Sequence, residues 1–69
     1  MNELRGAIHN AFASIAEFAR ALGWDRAKVS RFVNHKQRPT ADEMELMAKT
    51  LRITNAKDFV RIFFPALFN

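Results

Sequence analysis

Sixty-nine residues, 49% of them hydrophobic, suffice for one domain around one apolar core and leave no room for a second. With no cysteine there is no disulfide, thiolate zinc site or cysteine nucleophile; His9 and His35 lack metal-ligand spacing and no glycine-rich phosphate loop is present, so we expect neither an enzyme nor a bound metal or cofactor. The net charge of +4 is unevenly spread: Arg20, Arg26, Lys28, Arg31, Lys36 and Arg38 stand against Asp25 alone between positions 20 and 38, while acids match or outnumber bases on either side, which points to a polyanionic partner.

No window alternates apolar and polar residues as a half-buried strand would, so the expected class is all-α. A first helix starts after Asn2 and places Leu4, Ile8 and Ala11 or Phe12 on one face. Gly6 weakens it by roughly 1 kcal/mol relative to alanine, unless a neighbouring helix needs close approach there. Ser14 followed by Glu17 is a capping-box pattern, so a second helix begins at Ile15 and buries Ile15, Phe18, Ala19 and Leu22. Gly23 supplies the reversal after it. Asp25 caps a third helix over about residues 26–33, with Val29, Phe32 and Val33 facing inward. Ala27, Ser30 and Arg31 point the opposite way, flanked by Arg26 and Lys28. Residues 34–39 form a basic loop.

Thr40 with Glu43 makes a second capping box, opening a fourth helix that carries Met44, Met47, Ala48 and Leu51 inward. Asn55 or Thr54 caps a fifth, with Phe59, Ile62 and Phe63 as its stripe. Pro65 ends it, because proline lacks a backbone donor and disfavours helix in the residue before it. The opening MNELRGAIHNAF lacks the basic-then-apolar form of a signal peptide, and no stretch approaches the roughly 20 apolar residues of a membrane helix. We therefore expect a soluble, cytoplasmic protein with no membrane partner.

Two short helices joined by a tight turn, the second basic on its outer face, have the geometry of a helix-turn-helix, whose second helix fits the major groove of B-DNA, about 12 Å wide. Residues 15–34, IAEFARALGWDRAKVSRFVN, resemble the helix-turn-helix of the phage repressor family of Cro and CI type, also called the XRE family. The likeness lies in Ala19, Gly23 at the turn, Val29 following Asp25, the Val-Ser-Arg run and Phe32. Beyond them, NHKQRPTADEMELMAKTLRI is similar to the family's loop and next helix, so the resemblance covers about residues 4–53. Ile15 stands where many members carry a phosphate-binding glutamine, so Ser14 and nearby amides would supply that anchor. Bulky Trp24 follows the turn glycine, and we read it as covering the turn or packing on the first helix rather than as a base-stacking platform.

The resemblance implies a compact five-helix, lambda-repressor-like domain. It further implies a sequence-specific double-stranded DNA-binding transcriptional regulator of bacterial or phage origin, which represses by occupying an operator. By position in the motif, Arg26, Ala27, Lys28, Ser30 and Arg31 would lie over base edges, and Ser14, His35, Lys36, Gln37 and Arg38 would meet the phosphate backbone. Arginine suits the first task because its forked donors match O6 and N7 of guanine, and Ala27 suits a thymine methyl. Lys28 could equally be a phosphate contact, and the bland alternative for Arg26 and Arg31 is a solvated helix face.

Four of the seven phenylalanines, Phe59, Phe63, Phe64 and Phe68, fall in FVRIFFPALF, within the apolar segment 56–69. A domain this small buries only some of them, and an exposed remainder calls for a partner. A second copy is the simplest, since paired half-sites are bound by symmetric dimers. Phe59 and Phe63 could instead complete the core with Phe64 and Phe68 folded over it. A third possibility is a heterologous partner: a repressor, for an antirepressor or repressor-modulating protein, or a toxin, for an antitoxin.

Overall fold

The computed structural model describes residues 2–68, apart from the side chain of Phe68. Five helices follow one another, α1 (Glu3–Ala11), α2 (Ile15–Leu22), α3 (Arg26–Val33), α4 (Ala41–Thr50) and α5 (Ala56–Phe63), and a 3-10 turn, Pro65–Phe68, comes after them. No strand occurs among the described residues, so the fold is all-α with five helices, as the sequence suggests. No helix among them is long and apolar enough to cross a membrane.

Most boundaries have a local cause. The Asn2 side chain accepts the Arg5 N–H at 2.9 Å, and Asn55, rather than Thr54, caps α5 by accepting the Asp58 N–H at 2.8 Å. Each such bond satisfies an amide that the helix itself cannot, worth typically about 1 kcal/mol. Thr40 and Glu43 form the full reciprocal box: the hydroxyl accepts the Glu43 N–H at 3.2 Å and the carboxylate accepts the Thr40 N–H at 2.8 Å. The box at α2 is only half made. Ser14 accepts the Glu17 N–H at 3.2 Å, but the Glu17 carboxylate turns forward to Arg20, at 2.9 Å, where an opposite charge draws it. Asp25 holds the N-cap position of α3 without a side-chain capping bond, which corrects the expectation of a conventional cap. Among the described residues no neighbour comes within 4 Å of where a Cβ on Gly6 would stand, so the close approach of another helix does not account for this glycine.

Three helices end on a left-handed residue: Gly23 at φ 74°, His35 at φ 58° and Arg52 at φ 59°. The bonds after α3 show why. The His35 N–H reaches the Phe32 carbonyl at 3.2 Å and the Lys36 N–H reaches that of Arg31 at 2.8 Å, the paired closure that satisfies carbonyls orphaned at a helix end. Arg52 and Ile53 repeat the pattern on Lys49 and Ala48, at 3.1 and 2.9 Å. Glycine takes this conformation freely, but a residue with a Cβ is strained by about 1–2 kcal/mol, against which glycine's extra freedom in the unfolded chain weighs roughly 0.4–1 kcal/mol. His35→Gly should therefore stabilise the fold by roughly 0.5–1 kcal/mol, read as a higher urea midpoint with an unchanged slope. A lower midpoint would mean that His35 makes contacts in the folded state that outweigh its backbone strain.

All five helices supply the core. Leu4 and Ile8 come from α1, Phe18 and Ala19 from α2, Val29, Phe32 and Val33 from α3, Met44, Met47 and Ala48 from α4, and Ile62 and Phe63 from α5. Phe12, not Ala11, completes the α1 stripe, its ring 5.3 Å from that of Phe18. Ile15, Leu22 and Leu51 close the edges half-buried. Packing of α2 on α3 and α4, and of α1 on α2 and α5, leaves one face of α3 outward. Polar ties then fix its far end: the Asn2 amide donates to the Val33 carbonyl, and Arg5 donates to Asn34 at 3.0 Å.

Candidate nucleic-acid interface

The α2 and α3 helices meet through a short turn in which the left-handed Gly23 reverses the chain and the Trp24 N–H closes on the Ala19 carbonyl at 2.9 Å. Trp24 then folds onto α3 itself, its ring edge-on to Phe32 at 6.1 Å. This bears out a structural role for the tryptophan, on α3 rather than on the first helix.

On α3, Arg26, Ala27 and Arg31 are exposed, and Ser30 is half-buried. Arg31 is oriented by the loop that follows. Its Nε donates to the Gln37 side chain at 2.9 Å, while the Lys36 and Gln37 backbone amides both bond the Arg31 carbonyl, at 2.8 and 3.3 Å. A residue expected at the phosphates thus lies beside one expected at the bases. One terminal edge of the guanidinium fork remains available for a planar acceptor pair. Ser30 accepts from Asn34 at 3.2 Å and retains its own proton to donate.

Lys28 differs from its neighbours. Its ammonium lies 2.8 Å from a Glu43 carboxylate oxygen and 4.3 Å from the centre of the Trp24 ring. The pair is only partly exposed, at 30% for Lys28 and 20% for Glu43. Hydrogen bonding from Lys28, then from the Thr40 amide, holds the Glu43 carboxyl below the usual carboxylate range. Arg20 is likewise paired, with Glu17. Among the described residues, Arg26, Arg31, Lys36 and Arg38 of the central basic segment join no ion pair.

Around the loop, His35, Lys36, Gln37 and Arg38 are all exposed, and Ser14 is half-buried at the start of α2 with its oxygen on the Glu17 amide. The Arg38 guanidinium lies over the Phe64 ring at 5.3 Å, joining the basic loop to the C-terminal segment.

No protein-family model, curated protein or solved structure matches the chain.

The C-terminal aromatics are more occupied than the sequence suggests. Phe63 is buried at 7% exposure, so it belongs to the core and is withdrawn as a partner contact. Phe59 is half-buried, its ring 4.9 Å from that of Phe63, and Phe64 is half-buried beneath Arg38. The expected contact at Phe68 rests on a side chain that lies outside the described structure. Among the described residues the exposed large apolar side chains are Leu67, at 73%, and Leu46, at 48%, neither of which the sequence pattern singles out. Leu46 falls outside the inward spacing of α4, the one signal that could have found it. An open groove of about 480 Å³ between α4 and α5, lined in part by Ala48, Lys49, Ile53 and Phe59, involves no residue of α2, α3 or the basic loop.

Proposed function

We propose that this chain is a sequence-specific double-stranded DNA-binding protein of the helix-turn-helix type, resembling the phage Cro and CI repressors, and a transcriptional repressor that acts by occupying its operator. One observation carries the proposal. An exposed face of a short helix presents Ala27 together with Arg26 and Arg31, which join no ion pair among the described residues, and Arg31 is pre-oriented by Gln37 at 2.9 Å. A guanidinium held in one orientation loses less freedom on pairing with a guanine edge. In this account Arg26, Ala27, Ser30 and Arg31 read base edges, while Ser14, His35, Lys36, Gln37 and Arg38 meet phosphates.

The proposal has no catalytic step, cofactor or metal, and it places the protein in the cytoplasm of a bacterial host as a homodimer on paired half-sites. Exposed Leu67 and Leu46 favour a second reading, in which the main partner is another protein and the chain modulates a repressor or neutralises a toxin.

Salt titration of duplex binding tests the backbone contacts. Affinity should fall with salt on a logarithmic slope of about −0.9 per phosphate neutralised. Lys36→Ala should weaken binding to all sequences alike and reduce that slope by about 1. An unchanged slope would remove Lys36 from the phosphates, and a chain that binds no duplex would favour the protein partner.

A further inference from the structure

We infer that Lys28 sets the pose of α3 on DNA by bracing the helix, and that Glu43, on a different helix, determines binding specificity through it. This rests on the DNA-binding proposal and moves Lys28 from the base edges, where its position in the motif puts it, to a bracing role. The geometry leaves the Lys28 ammonium little to offer a base. Glu43 lies 2.8 Å on one side and the Trp24 ring 4.3 Å on another, with the side chain about two-thirds covered.

The carboxylate of Glu43 does two things at once. One oxygen closes the capping box of α4 on the Thr40 amide at 2.8 Å, and the other holds Lys28 at 2.8 Å. The first turn of α4 is thereby tied to α3, while Trp24, through Lys28 and Phe32, ties α3 to the turn before it. Two attachments on different elements restrain rotation of α3 about its axis. Such a rotation would disturb base readout, because donor forks must meet groove edges within about 0.5 Å. A loosened brace would displace Arg26 and Arg31 together. Its loss should therefore degrade discrimination at several base positions, whereas loss of a single base contact degrades one.

The sign of the effect separates this from simple electrostatics. Glu43→Gln removes a negative charge beside a basic surface, and Coulomb attraction alone would strengthen binding to every duplex. The brace requires the opposite for preference. Glutamine can still accept the Thr40 amide, so the capping box survives while the grip on Lys28 weakens. Lys28→Met keeps an apolar stem against Trp24 and removes the ammonium.

The test measures affinity of the full chain for a duplex enriched from a random-sequence library and for the unselected pool, together with Trp24 fluorescence and thermal melting. Each variant should lower the ratio of the two affinities by about 3- to 10-fold, with the losses spread over several base positions. The double variant should lose no more than the worse single one, and the emission of Trp24, the chain's one tryptophan, should shift in both. Equal strengthening on enriched and unselected duplexes in Glu43→Gln would overturn the proposal. So would a Lys28→Met variant that blurs one position while Glu43→Gln blurs none, since Lys28 would then be reading a base. A wild-type chain that prefers no duplex would overturn the DNA-binding proposal and with it the specificity role. Non-additive melting shifts would then mark the clamp as purely structural.

Discussion

Phe18→Ala should strip the fold of about 3–5 kcal/mol of its stability. Phe18 is fully buried and the largest of the side chains that exclude solvent altogether. It joins α2 to α1 through the ring of Phe12, 5.3 Å away. Truncating a buried phenylalanine removes the transfer free energy of its ring and leaves a cavity, together about 3–5 kcal/mol. Domains have net stabilities of about 0.05–0.15 kcal/mol per residue, which for a chain of this length is roughly 3–10 kcal/mol. The substitution therefore removes from about a third to all of that stability, and no disulfide or metal-binding cysteine compensates. Far-UV circular dichroism with urea titration reads the result directly. A cooperative transition weakened by less than about 1 kcal/mol would show that the site collapses around the loss, contrary to the close packing expected of a buried core.

Arg31→Ala should leave the fold intact and selectively damage recognition. The side chain is exposed, makes no ion pair among the described residues and hydrogen-bonds only to Gln37 at 2.9 Å, so removing it breaks one exposed bond. Such a bond contributes roughly 1 kcal/mol or less to stability. A forked contact to guanine, by contrast, discriminates against the wrong base by about 1–3 kcal/mol, roughly 5- to 150-fold. The loss should be concentrated at one base position, on duplexes that carry the preferred base. Binding to unrelated duplexes should fall only by the share that one positive charge contributes. A uniform loss across all duplexes would instead mark Arg31 as a phosphate contact.

What the sequence made legible follows from the range over which interactions act. Ser14, Thr40 with Glu43, and Asn55 mark helix starts because a cap acts within three residues of itself, and Gly23 marks an end because its backbone freedom belongs to the residue alone. The inward stripes of α1 to α5 were readable for the same reason, since helical periodicity assigns faces without knowledge of neighbours. Partner choice was not readable. Glu17 could turn back to its cap or forward to Arg20, and only the folded chain decides between two bonds of comparable energy. The Lys28–Glu43 pair bridges two consecutive helices across the basic loop, beyond the reach of any spacing within one helix, and no local pattern announces it. Phe63 shares its stripe with the partly exposed Phe59, and how deep each lies depends on where α5 meets α1. His35 and Arg52 carry no signal for a left-handed backbone as strong as glycine's.

Selection of duplexes from a random-sequence library at near-physiological salt, with Arg31→Ala alongside the wild-type chain, tests most directly whether residues 26–31 read DNA. The account predicts an enriched palindrome whose half-sites lie about one helical turn, roughly 34–36 Å, apart, and a variant that blurs a single symmetric position. Absence of any enrichment, with binding that tracks salt alone, would contradict it and leave the basic face of α3 as a surface that attracts polyanions without reading them.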